Sequence, residues 1–165
     1  MEGPLMRIYV ASSWRNLAQP GIVHVLRRCG HQVYDFRRPD VDVWPERVPA
    51  GGLPPGGFSW RDVDPRWLDW TPAEYRAGLE HPIAIAGHRA DMLALETCDA
   101  CVLVLPSGRS ASWEFGFAMG RGKRAFVVML EPQEPELMYR GAEILGSMDE
   151  LFDAFQIVPL SGVGQ

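Results

Sequence analysis

The sequence predicts an α/β fold in which helices cover both faces of an open, mostly parallel β-sheet. Segments of strand character alternate with segments of helical periodicity, and this alternation is typical of the class. One strand segment, Ala100–Leu105 (ACVLVL), is apolar at every position, as in central strands that helices cover on both faces. The length of 165 residues suits one domain, which we expect to span residues 1–165.

The first 36 residues are predicted to form a β-α-β unit. Arg7–Ala11 (RIYVA) has the composition of a strand, and Gln19 and Pro20 open a helix because proline is favoured at its first position. Gly30 ends this helix, and His31–Phe36 (HQVYDF) forms the second strand. Two strands that are joined by a helix pair in parallel.

The alternation continues to the last predicted helix. Two capping boxes, each a Ser or Thr followed three residues later by Glu, mark helix starts at Thr71 and Ser147. The predicted elements are a helix to about Glu80, a helix from Pro82 to about Thr97, the strand Ala100–Leu105, a helix over Ala111–Arg121, the strand Ala125–Leu130 and a last helix to about Phe155.

The predicted sheet is flavodoxin-like, with strand order 2-1-3-4 and room for a fifth strand at the edge. Ligands of such sheets bind outside the carboxyl ends of the strands, where the strand order reverses. Two loops, 12–16 and 106–112, leave the sheet at that point. Helix capping is one role for the polar residues of the first loop, and contact with sugar hydroxyls or a phosphate is the other: Ser12, Ser13, Arg15 and Asn16.

The second loop has the composition of an anion site. Gly108 permits a tight turn, and the amides of residues 108–112 are expected to be free at a helix start, where they favour phosphate. The side chains that would add donors are Arg109, a bidentate cation, and the serines Ser107, Ser110 and Ser112. A capped helix with a surface arginine is the alternative interpretation.

Glu114 follows this loop, in the first turn of the predicted helix. One explanation for a glutamate there is its favourable interaction with the helix dipole. The other is chemistry at the floor of a pocket. A carboxylate held in that place can attack an anomeric carbon or stabilise an oxocarbenium-like transition state.

Four motifs follow one another in the second half of the chain. They are an acidic residue leading into an apolar strand (Asp99–Leu105), a Gly/Ser loop (Gly108–Ser110), an E-x-G-x-A motif (Glu114–Ala118) and Gly122-Lys123 before the next strand. This series resembles the nucleoside 2-deoxyribosyltransferase superfamily, which includes nucleoside 5′-monophosphate N-glycosidases. The resemblance covers residues 7–36 and 88–130, and RIYVASSWRN is similar to the family's first strand and substrate loop.

The resemblance implies roles for two carboxylates. The family's nucleophilic glutamate matches Glu114, and Asp91, eight residues before Asp99, matches an aspartate that assists proton handling or positions the nucleophile. The implied reaction is cleavage or transfer at the N-glycosidic bond of a nucleoside or a nucleoside 5′-monophosphate. Pro106 and Glu114 also have the spacing of the P-G-G-x-G-T-x-x-E motif of cytokinin-activating phosphoribohydrolases, which we interpret as an analogous arrangement.

Further expectations concern partners and ligands. The resemblance implies a homodimer or larger homo-oligomer, since the family's segment that matches Met138 and Tyr139 often reaches a neighbouring subunit's site. We expect no cofactor and no metal. Asp35 and Arg37 end the second strand, where they would contact the base or ribose or else form a surface ion pair.

Residues 37–70 form a Pro/Gly/Trp-rich segment, which we expect to be an ordered active-site loop. It contains six of the fourteen prolines and four tryptophans, and long loops in compact domains are commonly functional. Aromatic faces stack on nucleobases without sequence preference. The aromatic residues that would do so, or would instead pack the loop on the sheet, are Phe58, Trp60, Trp67 and Trp70.

The composition excludes several classes of protein. A net charge of −5 argues against a nucleic-acid-binding surface, and the longest apolar run, 100–106, is too short to cross a bilayer. Three cysteines, of which Cys98 and Cys101 are predicted to be buried and reduced, indicate a reducing compartment, and we expect a cytoplasmic protein. A redox pair or half a zinc site is the alternative for these two.

Two other functions are compatible with the same architecture. One is a nucleotide-binding sensor or signalling module related to TIR-like domains, of which a TIR-type NAD glycohydrolase is the catalytic variant. The other is an assembly protein with a decayed site, against which the set Asp91, Gly108 and Glu114 argues.

Overall fold

The structure, a computed structural model, describes residues 5–39, 44, 54 and 56–155. Its five strands are parallel and lie in the order β2-β1-β3-β4-β5. They are β1 (Arg7–Ala11), β2 (Gln32–Asp35), β3 (Ala100–Val104), β4 (Arg124–Val128) and β5 (Glu143–Leu145). The predicted flavodoxin-like sheet is confirmed, and β5 is the fifth strand at its edge.

The described residues also form six α-helices and two short 3₁₀ helices. The α-helices are α1 (Gln19–Arg28), α2 (Trp60–Val63), α3 (Pro72–Leu79), α4 (Pro82–Thr97), α5 (Arg109–Gly120) and α6 (Met148–Ala154). The 3₁₀ helices span Trp67–Asp69 and Leu137–Gly141. Within the described ranges, no helix has the length and apolar character needed to cross a membrane.

Side chains of alternating direction along each strand build two separate cores. Ile8 and Val10 of β1 lie in the core covered by α1 and α6. Tyr9 and Ala11 point to the opposite face, where the core includes side chains of α4 and α5, because successive strand residues face opposite sides of a sheet. The sheet face under α4 and α5 therefore carries a tyrosine, Tyr9, in the interior strand β1.

Two helix starts follow the predicted capping chemistry. At α3, the hydroxyl of Thr71 accepts the Glu74 amide at 3.3 Å, and the Glu74 carboxylate accepts the Thr71 amide at 2.7 Å. At α6, Ser147 accepts the Glu150 amide at 3.1 Å. The carboxylate of Glu150 accepts the amide of Gly146 at 2.7 Å. In this second box the glutamate therefore binds the residue before the N-cap and not the N-cap itself.

Candidate active site

The two loops at the point of strand reversal are hydrogen-bonded to each other. Ser12 Oγ donates to the Val104 carbonyl at 2.8 Å, and Asn16 Nδ2 donates to the carbonyls of Val104 (3.2 Å) and Pro106 (3.0 Å). Asn16 Oδ1 accepts two amides at the start of α1, at 2.8 and 3.1 Å. Both polar atoms of the Asn16 side chain thus bind backbone groups of the protein, and its contact with a ligand stays a prediction.

Arg37 fixes the first loop from the end of β2. Its Nη2 donates to three loop carbonyls at 2.8–3.0 Å, those of Ser13, Trp14 and Asn16. Asp35 is buried and accepts the Arg37 amide at 3.0 Å and the side-chain amide of Gln19 at 2.9 Å. Both side chains therefore help to hold the loop in place, and their contact with a base or ribose stays a prediction.

Ser13 and Arg15 keep side chains at the surface of the same loop. Ser13 is half-buried and Arg15 is exposed, and Ser13 Oγ accepts the Arg15 amide at 3.2 Å. Their contact with a ligand stays a prediction. The same holds for Ser12, whose hydroxyl oxygen can still accept a hydrogen bond while its proton is donated to Val104.

Helix α5 begins two residues earlier than predicted, with Gly108 as its N-cap. The amide of Ser112 is bonded to the Gly108 carbonyl at 3.2 Å. Of the amides predicted to be free at residues 108–112, that of Ser112 is therefore not free. The side chain of Arg109 is exposed, and it forms no hydrogen bond or ion pair with any residue in the described part of the chain.

The earlier start places Glu114 in the second turn of α5, where its half-buried side chain adjoins the core face of the helix. Burial, and then the negative charge of Asp91 on α4, raise the pKa of Glu114 to about 8. Burial raises the pKa of Asp91 to about 6, although a hydrogen bond from Tyr34 opposes this shift. Two interacting carboxyls are thus held in one half-buried place between the helices.

Two stacked tyrosines lie beneath the carboxyls. Tyr9 and Tyr34 are paired across β1 and β2, with ring centroids 5.2 Å apart and planes 19° apart. The Tyr34 hydroxyl donates to Asp91 Oδ1 at 2.8 Å. Burial, and then the charge of Asp91, raise the pKa of both phenols far above the ordinary value, so both remain protonated donors.

The Tyr9 hydroxyl is buried without a hydrogen-bond partner among the described residues. It is nevertheless close enough to Glu114 to lower the pKa of that carboxyl, so the contact is longer or more bent than a formed hydrogen bond. Tyr9 is therefore an unpaired donor that faces Glu114. The sequence interpretation missed both tyrosines. The signal was a Tyr in the middle of each of two adjacent strands, on the same face.

The carboxyl pair can exchange one proton near neutral pH. Because each charge disfavours the other, the two protons leave in separate steps that belong to the pair. Between about pH 6 and pH 8 the pair holds one proton. A pair in that state offers one carboxylate and one carboxylic acid, which glycoside cleavage requires in its first step.

A cavity of about 390 Å³ opens beside the start of α5. Five aromatic side chains line it: Trp60, Trp67, Trp70, Tyr75 and Trp113. Arg109 and Ser110 complete the lining. Phe58 lies behind this wall, where its ring meets that of Trp60 edge-on at 4.8 Å. The structure thus brings part of the Pro/Gly/Trp-rich segment together with the predicted anion loop.

Ser107 and Ser112 face a different cavity. It has a volume of about 370 Å³ and lies under the segment 133–139, whose carboxylates Glu134 and Glu136 contribute to its lining. Two acidic side chains make this cavity unfavourable for a phosphate. The three serines that were predicted to act together are therefore divided, and Ser110 alone accompanies Arg109.

Two helical glycines leave space for aromatic side chains at the first cavity: Trp70 in its lining and Phe58 behind it. A Cβ added at Gly78 would overlap the Trp70 ring, and one at Gly87 would lie 3.1 Å from Phe58. Glycine inside a helix is less favourable than alanine by about 1 kcal/mol. The close approach of a ring explains why glycine occupies both positions.

We expect Gly78→Ala to destabilise the protein by about 1–3 kcal/mol, because the new methyl group displaces the Trp70 ring. The matched control is Gly116→Ala in α5, where nothing lies within 4 Å of the added Cβ. That change should stabilise by about 0.5–1 kcal/mol through helix propensity. Chemical denaturation measures the change in the free energy of unfolding for both variants. If both variants are stabilised, or both destabilised, the close packing of Trp70 against Gly78 is contradicted.

Among the described residues, no group of three or more His, Cys, Asp or Glu side chains could hold a metal ion. Cys98 and Cys101 are buried free thiols at the end of α4 and in β3, and burial raises the pKa of each. A raised pKa disfavours the thiolate that metal binding and redox exchange require.

Comparison with known proteins supports the architecture. No protein-family model and no curated protein sequence matches this chain. Among solved structures, the chain is similar to a 2-deoxyribosyltransferase from the psychrotolerant bacterium Bacillus psychrosaccharolyticus, with a TM-score of 0.50 and 18% sequence identity over 92% of this chain and 97% of that one. At this identity the similarity establishes a shared flavodoxin-like α/β fold.

Proposed function

We propose that this protein breaks or exchanges the N-glycosidic bond of a nucleoside or a nucleoside 5′-monophosphate. The observation that carries the proposal is the half-buried pair Asp91 and Glu114, which holds a single proton near neutral pH above two tyrosine hydroxyls. A helix-dipole role would leave Glu114 at the surface. The similarity of the fold to a 2-deoxyribosyltransferase is consistent with this chemistry.

In the proposed first step, the single proton of the pair moves from Glu114, the group of higher pKa, to Asp91, and the ionised Glu114 bonds to the anomeric carbon as the bond from that carbon to the base nitrogen breaks. The base leaves with the bonding electron pair and takes the proton of Asp91. The resulting glycosyl ester is then opened by water, which gives hydrolysis, or by a second base, which gives transfer. Asp91 accepts a proton in that second step, as a retaining mechanism requires.

The test is release of free base. Nucleosides and nucleoside 5′-monophosphates are incubated with the protein, with and without an acceptor base, and products are separated by chromatography. Base release from any member, lost in Glu114→Gln, supports the proposal. Binding without base release from every member would instead favour a nucleotide sensor of TIR-like architecture.

The exposed Arg109 at the start of α5 supports a preference for monophosphates. We expect Arg109→Ala to weaken the use of monophosphates by roughly 10- to 150-fold and to leave nucleosides almost unaffected, since a charge-assisted bond to phosphate is lost. Arg121→Ala, at the other end of the same helix, is the control of equal charge. Equal losses of kcat/KM on both substrate types would show that Arg109 does not hold a phosphate.

We also propose a homodimer or larger homo-oligomer. Large apolar side chains are exposed near the candidate site, including Leu137 (80%), Met138 (70%) and Trp113 (58%), and exposed apolar patches commonly mark interfaces. Light scattering at tens of micromolar should give at least twice the mass of the 165-residue chain. A monomer mass would contradict this part of the proposal and leave the chemistry untouched.

A further inference from the structure

We propose that the aromatic cavity beside α5 is the subsite for the nucleobase of an anionic nucleotide. In this arrangement the planar base stacks among the tryptophans, and Arg109 at the cavity wall binds the phosphate. The inference rests on the proposed function, which it deepens by naming the ring subsite and the charge of the substrate. Four observations carry it: the size of the cavity, the contacts that hold its walls, the sign of its charge and its separation along α5 from Glu114.

Contacts within the protein hold the walls of the cavity in place. Trp60 and Trp70 meet edge-to-face, with centroids 5.5 Å apart at 78°. The Trp70 indole nitrogen donates to the Asp64 carboxylate at 2.8 Å, and the Thr71 capping box starts α3 at the next residue. The Trp70 ring is also seated against Gly78. Rigid aromatic walls lower the ordering cost of binding a planar ring.

The charge of the lining selects the class of ligand. Aromatic cages also bind quaternary ammonium groups, but a cation would be repelled by Arg109, and Asp64 is engaged by Trp70 and by Arg66 at 3.9 Å. A planar ring that carries a negative group satisfies both the stacking walls and the arginine. The volume of about 390 Å³ lies within the range of small-molecule sites.

Helix α5 connects the cavity to Glu114, one of the two carboxyls. Ser110 lines the cavity, and Glu114 follows it by four residues, so the two side chains are neighbours on one helix face. The unpaired Tyr9 hydroxyl faces Glu114 from below. A ligand whose ring enters the cavity therefore has its sugar within reach of the proposed chemistry.

Trp67 is the informative residue for a test. It lines the cavity but has no ring contact with another described aromatic residue, so its removal leaves the other walls in place. Its neighbour Leu68 is 77% exposed and does not line the cavity, which makes Leu68→Ala the matched control. Trp67→Tyr keeps an aromatic face and serves as the conservative variant.

The experiment measures equilibrium binding by calorimetry in the Glu114→Gln background, so that turnover does not consume the probe. The probes are adenosine 5′-monophosphate and ribose 5-phosphate, which lacks the base. We expect Trp67→Ala to weaken the nucleotide by roughly 5- to 150-fold, as for loss of base stacking, and to leave ribose 5-phosphate unchanged. Leu68→Ala should change neither, and Trp67→Tyr should retain most of the nucleotide affinity.

Two outcomes would overturn the inference: Trp67→Ala that changes neither probe, or Trp67→Ala that weakens both equally. These outcomes are separable from failure of the proposed function. If the protein releases base and its KM for the nucleotide is the same with and without Trp67→Ala, the subsite is rejected and the proposed reaction stands. Trp67-dependent nucleotide binding without base release would keep the subsite and reject the reaction.

Discussion

Replacing Glu114 with glutamine should leave the protein folded and reduce base release by roughly 10³-fold or more. The amide has almost the shape of the carboxyl group, but it can neither bond to an anomeric carbon nor neutralise the positive charge that develops there. Nucleotide binding should survive, because Arg109 and the aromatic cavity are unchanged. Turnover of the best substrate in the panel and its equilibrium binding measure the two effects separately.

The same substitution should also stabilise the protein at alkaline pH. Because the folded pKa of Glu114 is raised from 4.5 to about 8, the folded state binds the proton more tightly than the unfolded chain. The free energy of unfolding therefore falls as pH rises through this window and stays low above it. Glutamine carries no proton to lose, so the gain in thermal midpoint should be small at pH 5 and large at pH 9.

Glu96→Gln, on the exposed side of α4, is the control for both measurements. It should change neither the rate of base release nor the pH dependence of the thermal midpoint. If Glu114→Gln folds normally, retains more than a tenth of the activity and shows no alkaline gain in stability, Glu114 only complements the helix dipole, a contribution of less than about 1 kcal/mol.

The fold was predictable because its signals are local and strong. The apolar strand Ala100–Val104 and the helix Pro82–Thr97 follow from hydrophobic runs and from proline at a helix start. Parallel strands linked by helices then leave few topologies. The start of α5 was misplaced by two residues because Gly108, which has no side-chain cap, begins the helix before the apolar pattern does.

The candidate site was predictable only in part, because burial and tertiary contacts decide it. Glu114 and Asp91 were found by motif, but their raised pKa values depend on depth and mutual distance. Asn16 and Arg37 are polar residues that follow strands, and only the structure shows that their side chains bind backbone carbonyls at this edge of the sheet. The sequence also could not show that Ser112 and Ser110 face different cavities.

Replacing Asp91 with asparagine should lower the rate by roughly 10²–10⁴-fold, the usual contribution of general acid–base catalysis, and should change the shape of the pH profile. In the unaltered protein the active form is the singly protonated pair, so kcat/KM should fall below about pH 6 and above about pH 8. Without Asp91 there is no acid to lose, and the alkaline decline should disappear.

The acid limb that remains in Asp91→Asn should report the ionisation of Glu114 alone, and it should lie below about pH 8. Burial is the larger cause of the raised pKa of Glu114, but the charge of Asp91 is the next, and asparagine removes that charge while its oxygen can still accept the Tyr34 proton. Tyr34→Phe is the complementary control. It removes the hydrogen bond that lowers the pKa of Asp91, so the acid limb should shift upward with the alkaline decline retained.

Substrates that differ in how readily their base leaves distinguish best between the roles of the two carboxyls. A base that departs as a stable anion needs no proton, so such a substrate should restore most of the rate to Asp91→Asn and none to Glu114→Gln. The comparison requires kcat/KM for each variant on this substrate and on a natural nucleotide across pH 5–9. If Asp91→Asn loses the same factor on both substrates and keeps its alkaline decline, Asp91 positions Glu114 and does not supply the proton.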